Sequence, residues 1–148
     1  MENVLVIHGP NLNLLGEREP GIYGNDDFDS INKEIVSQAK HKGFLKCEIF
    51  QSNHEGAIID KLHEARKCFD GIVLNAGAYT HYSYAIRDAI AAIKIPVVEV
   101  HLSDIYAREG FRAVSVIKDV CIAQISGYGK NSYFMGLDAL IEYEERKN

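Results

Sequence analysis

The sequence predicts an α/β protein built on a parallel sheet, and two patterns lead to that class. Short, nearly continuous apolar runs recur along the chain, and between them lie segments whose apolar residues repeat at helical spacing. Strands that alternate with helices pair in parallel and are covered on both faces, because each crossover returns right-handed over the sheet. Five such βα units in 148 residues predict a flavodoxin-like, three-layer sandwich with a five-stranded parallel sheet in the order 2-1-3-4-5, as one domain over residues 1–148. With 47% hydrophobic and 25% charged residues, the chain can bury a substantial core.

Strand 1 is predicted over Asn3 to His8, and the helix after it places Ile31, Ile35, Val36 and Ala39 on one face, with Gly43 at its end. Strand 2 follows from Leu45 to Gln51. Ser52 and Glu55 fit a capping box ahead of Ile58, Ile59, Leu62 and Ala65, and Asn53 is an equally good cap. Strand 3 covers Gly71 to Asn75, and a third helix aligns Ile86, Ala89, Ile90 and Ile93. Strands 4 and 5 are predicted over Pro96 to His101 and Asp119 to Ser126. Gly127 and Gly129 turn the chain into a last helix with Phe134, Leu137, Leu140 and Ile141 inward, ending in the solvated tail "EYEERKN".

Composition narrows the function. A formal net charge of -5 without any Lys/Arg cluster argues against a nucleic-acid surface and favours a small polar metabolite. No apolar run approaches the roughly 18 residues of a membrane span, and Val4 to Ile7 is too short for a signal-peptide core, so a cytoplasmic protein without membrane association is expected. Cys47, Cys68 and Cys121 are odd in number, far apart and set among apolar residues, which predicts buried reduced thiols.

Ligands of an open parallel sheet bind beyond the carboxyl ends of its strands, near the point where strand order reverses. Asn11, Arg18 and Tyr23 follow strand 1; Asn75 ends strand 3, with Thr80 and His81 beyond; Glu99 and His101 lead from strand 4 into Ser103, Arg108 and Arg112. Period-two alternation puts Glu99 and His101 on one face, where a carboxylate can orient an imidazole, although a hydrogen-bonded structural histidine fits the same pattern. The loop "GPNLNLLGEREPGIYG" is rich in glycine and proline but poor in core-forming residues, which predicts a hinged lid carrying Arg18 and Tyr23; each of these also has a plain reading, as a surface charge and a packed loop aromatic. His8, His41, His54 and His63 read as structural or solvated, and Asp88 as a surface carboxylate. "SGYGKNSY" fails as a phosphate loop, since Gln124 and Asn131 stand where glycine and a hydroxyl are needed. No metal-ligand spacing and no dinucleotide fingerprint occurs, so no cofactor is expected.

"GPNLNLLGEREPGIYG", "QSNHEG", "LNAGAYTHYSYAIRDAI" and "VEVHLSDIYAREGFR", in that order, resemble the type II 3-dehydroquinate dehydratases over nearly the whole chain. The resemblance implies dehydration of 3-dehydroquinate to 3-dehydroshikimate, in the shikimate or quinate pathway, without metal or organic cofactor, by a flavodoxin-like subunit in trimers assembled into a dodecamer. It implies Tyr23 as general base, Arg18 as the cation lowering its pKa, His101 as acid, Glu99 as its partner and Asn11 as the residue positioning a water at the enolate. Asn75, His81, Leu102, Ser103 and Arg112 match the family's substrate-binding groups, and Asp88 matches a residue that reaches a neighbouring subunit's site. The chain departs from the usual pattern at Tyr82, Asp104, Tyr106, Gly110, Ala113 and Val114. A flavodoxin-like binding or signalling module and an inactive structural oligomer are the alternatives; formation of a conjugated enone from dehydroquinate separates them from the enzyme.

Overall fold

A computed structural model describes residues 1–17 and 26–148. Five parallel strands, β1 (Asn3–His8), β2 (Lys46–Gln51), β3 (Gly71–Asn75), β4 (Val97–His101) and β5 (Ala123–Ser126), form one sheet in the order β2-β1-β3-β4-β5. Among the described residues four α-helices accompany them: α1 (Phe28–His41), α2 (Glu55–Ala65), α3 (Tyr84–Ile93) and α4 (Asn131–Lys147). The predicted fold class and strand order are those observed.

Alternation along the strands divides the core. Leu5, Ile7, Ile72 and Leu74 point to one face, where Ile58, Leu62 and Ala65 of α2 and Ile86, Ala89, Ile90 and Ile93 of α3 cover them. Val4, Val6, Val73, Val98 and Val100 point to the other, under Ile31, Ile35 and Ala39 of α1 and Tyr133, Leu137 and Leu140 of α4. α4 comes close to the sheet at Gly136, where a Cβ would lie 3.0 Å from Val100 Cγ1 and 3.2 Å from Val73 Cγ1. Gly43, beyond the end of α1, has the positive φ of 104° expected of a helix-ending glycine.

Several expectations need correction. The crossover from β4 to β5 contains no α-helix among its residues but three 3-10 turns, Ile105–Ala107, Gly110–Ala113 and Lys118–Val120. β5 is therefore shorter than predicted: its pairing begins at Val98 opposite Ala123, and residues 118–120 turn on themselves, with Ser115 Oγ accepting the Lys118 N–H at 3.1 Å. Val36 is 41% exposed, because the stripe that α1 buries is narrower than its apolar residues. The capping box at α2 does not form. Ser52 Oγ accepts from the His54 N–H, while the Glu55 carboxylate accepts from Ser83 Oγ. A capping box forms instead at α1, between Asp27 and Ser30. The three thiols are free, but Cys68 is exposed and Cys47 and Cys121 are half-buried.

Candidate active site

A cleft of about 500 Å³ opens over the carboxyl ends of β1, β3 and β4. Asn11, Asn75, His81, His101, Leu102, Ser103 and Arg112 line it, with Arg108 beside them. Glu99 lies beneath it, fully buried, and Asp88 stands exposed on α3, away from the cleft lining. Arg18, Tyr23 and the other residues of the proposed lid from 18 to 24 lie outside the described residues.

Two loops form one wall together. The Gly9 N–H donates to the Asn75 carbonyl at 2.7 Å, and a Cβ on Gly9 would sit 2.5 Å from the carbonyl carbon and oxygen of Ala76, so only glycine permits this approach. The chain then places Asn11 in the left-handed region at φ 69°, with its N–H donating to Asn53 Oδ1 at 2.9 Å. Gln51, at the end of β2, ties the arrangement together by donating from Nε2 to the Gly9 carbonyl at 3.2 Å and to Asn53 Oδ1 at 3.1 Å.

The helix-free crossover after β4 builds the opposite wall. Its residues 114–116 lie along the β3 loop, with the Val116 N–H donating to the Thr80 carbonyl at 2.9 Å and His81 Nδ1 donating to the Val114 carbonyl at 2.7 Å. A carbonyl only accepts, so Nδ1 of His81 carries the proton and Nε2 is the nitrogen available to a ligand. Arg112 stacks over Phe111, 4.8 Å from the ring centroid, and its only ion-pair partner among the described residues is Glu109 at 3.8 Å. Arg108 has no carboxylate within ion-pair distance among the described residues. The rim thus presents guanidinium groups suited to an anionic ligand on a protein of net negative charge.

Among the described residues Glu99 receives three hydrogen bonds: from His101 Nε2 at 2.5 Å, from Gln124 Nε2 at 3.0 Å and from Ser115 Oγ at 2.9 Å. All three partners can donate to a carboxylate, which places the Nε2 proton of His101 against Glu99 and leaves Nδ1 as the second ring nitrogen of a side chain that lines the cleft. Tyr106 extends the set, its hydroxyl donating to Gln124 Oε1 at 2.6 Å. No local spacing joins Ser115 or Gln124 to Glu99, or Tyr106 to Gln124, so sequence alone does not pair them.

The positions that depart from the family's usual pattern have identifiable places. Asp104 Oδ1 accepts the Tyr106 N–H at 3.0 Å and caps the first turn of the crossover. Gly110 has a positive φ of 51°. Val114 holds His81 through its carbonyl, a contact independent of side-chain identity. Tyr82 is 58% exposed, its ring edge toward Tyr79; nothing in the structure explains the alanine at Ala113.

A second polar chain runs beneath the cleft floor. Asn75 Oδ1 accepts from the Gly77 N–H at 3.1 Å, and its Nδ2 donates to the Tyr133 hydroxyl at 3.0 Å. That hydroxyl lies 2.9 Å from His8 Nδ1, and His8 Nε2 lies 2.8 Å from Asn32 Oδ1. Burial lowers the His8 pKa to about 4 against the lesser opposing effect of Asn32, and burial also raises that of the Tyr133 phenol. By sequence alone His8 reads as a structural or solvated histidine, and nothing local singles out Tyr133 or Asn32. The available signal was a polar residue closing the apolar run of β1, in register with Asn75.

A parallel five-stranded sheet, a cleft over its carboxyl edge, and a carboxylate-oriented imidazole beside guanidinium groups define an α/β protein suited to acid–base chemistry on a small anionic molecule. The family model described as dehydroquinase class II matches residues 2–141, and the chain belongs to that family. It is 57% identical over 143 residues to a 3-dehydroquinate dehydratase of Acaryochloris marina, covering 95% of this chain and 94% of that protein. It is 52% identical over 148 residues to one of Prochlorococcus marinus, covering 100% of both. A crystal structure of a type II dehydroquinase from Butyrivibrio crossotus superposes with a TM-score of 0.90 at 51% identity, covering 95% of this chain and 97% of that one.

Proposed function

We propose that this chain dehydrates 3-dehydroquinate to 3-dehydroshikimate by anti elimination through an enolate. The observation that carries the chemistry is the 2.5 Å hydrogen bond between buried Glu99 and His101, which orients an imidazole at the cleft floor. Tyr23, as phenolate, takes a proton from the carbon beside the ketone, and the C–H electron pair becomes the enolate. His101, doubly protonated on Glu99, gives a proton to the hydroxyl at the beta carbon; the C–O bond breaks, water leaves, and the enolate electrons form the conjugated double bond. Proton return from Tyr23 to His101 through solvent resets the pair. Asn11 positions a water at the developing oxyanion, while Asn75, His81, Ser103, Arg112 and the Leu102 and Ser103 N–H groups hold the hydroxyls and carboxylate.

Tyrosine needs help as a base, because its ordinary pKa near 10 leaves about 0.1% phenolate at pH 7. Each unit of lowering is worth about 1.4 kcal/mol, a scale that one close, partly desolvated cation can supply, the role proposed for Arg18. Tyr23→Phe is therefore expected to cut turnover at least about 100-fold in an absorbance assay of enone formation, with a smaller change in binding. Arg18→Ala is expected to move the rising limb of the pH–rate profile to higher pH, and the double variant to lose much less than the product of the single losses. Near-parental turnover in Tyr23→Phe would remove it as base, and no enone from the parental chain would overturn the reaction itself.

A further inference from the structure

We propose that Tyr133, backed by His8 and Asn32, is a positioning residue for substrate binding: its hydroxyl fixes the Asn75 amide so that one N–H and one oxygen lone pair are left for a single hydroxyl of the ligand. This rests on the function proposed above. The polarity of the chain follows from its ends. The backbone N–H of Gly77 can only donate, so the Asn75 atom facing it is Oδ1 and the atom facing Tyr133 is the NH₂ group. The Tyr133 oxygen must accept there, and its own proton goes to His8 Nδ1. His8 Nε2 then carries the ring's proton and donates to Asn32 Oδ1. Every donor points the same way, from the cleft toward α1.

This arrangement requires a neutral His8, which its burial favours. With one NH₂ hydrogen on Tyr133 and one Oδ1 lone pair on Gly77, Asn75 retains, among the described residues, a donor and an acceptor on the same amide. A hydroxyl both gives and takes a hydrogen bond, whereas a carboxylate only accepts, so this amide selects an alcohol. Asn75 and Tyr133 are 3% and 0% exposed, so an amide released from its anchor has little water to replace the lost partner.

Tyr133→Phe keeps the ring in the core and removes the oxygen. KM for 3-dehydroquinate is expected to rise about tenfold, the equivalent of one neutral hydrogen bond, with kcat within about threefold, because the lost contact is made equally in ground and transition states. In an Asn75→Ala background the same substitution should raise KM no further, whereas a purely structural role would lower the unfolding temperature and leave KM unchanged. Should Tyr133→Phe not fold, Asn32→Ala on the half-buried face of α1 decides the matter: a KM rise of about threefold or more supports the chain, and an unchanged KM overturns it. A parental chain that forms no enone would instead sink the functional reading, so the two failures are distinguishable.

Discussion

His8 ends β1 with no exposed surface, packed edge-on against Phe28 and hydrogen-bonded through both ring nitrogens. Its folded pKa of about 4 lies below the ordinary 6.5, so the unfolded chain binds the proton more readily. The resulting stability is fully present above pH 6.5 and is lost as pH falls toward 4, about 3 kcal/mol in all. Urea unfolding between pH 7 and 4.5 is expected to show this loss in the parent and a visibly shallower one in His8→Gln, the difference isolating His8 from the carboxylates. A parallel loss in both proteins would contradict a buried neutral imidazole. Sequence alone could pair Glu99 with His101 because strand alternation is local, two residues apart. It could not pair His8 with Tyr133, which lies 125 residues away on a helix whose pattern reads as ordinary core.

Among the elements, those with strong apolar periodicity were legible: β1 and β3 match their predicted limits, and the four apolar positions of α3 are all buried. The crossover between β4 and β5 was not, because its short turns are capped by scattered contacts such as Asp104 with Tyr106 and Ser115 with Lys118, without a repeating period. The capping box expected at α2 fails for a related reason: Glu55 has a distant partner, Ser83, whose hydroxyl donates to its carboxylate. α4 supplies a test of helix–sheet packing. Gly136→Val adds three carbons where a Cβ alone already meets Val100 at 3.0 Å, so a loss of about 2 kcal/mol is expected from overpacking, read as a lower urea midpoint. An unchanged midpoint would mean that α4 shifts off the sheet without penalty.

At the scale of the whole molecule, we propose that trimers and higher assemblies complete the site. Asp88 is exposed on α3 and lies outside the lining of its own cleft, as suits a residue that reaches into a neighbour's. Light scattering is expected to give an assembly well above the 16.6 kDa subunit, and Asp88→Ala to lower activity while circular dichroism stays parental. A fully active monomer at dilution would rule this out. Sequence reasoning found most of the proposed cleft residues because strand ends converge in this fold class, whereas the supports beneath them, Gln51, Asn53, Ser115 and Gln124, come from β2, β5 and crossovers whose approach depends on the finished fold.

The 2.5 Å clearance between a Gly9 Cβ and the backbone of Ala76 has a consequence for engineering. The loops after β1 and β3 are not separate modules: each is the mould for the other, and neither can be lengthened or replaced alone without lifting Asn75 from its bond to Gly9. Transplanting a new ligand preference onto this scaffold therefore calls for exchange of the two loops as a matched set, or for leaving both intact and varying the helix-free crossover that forms the facing wall.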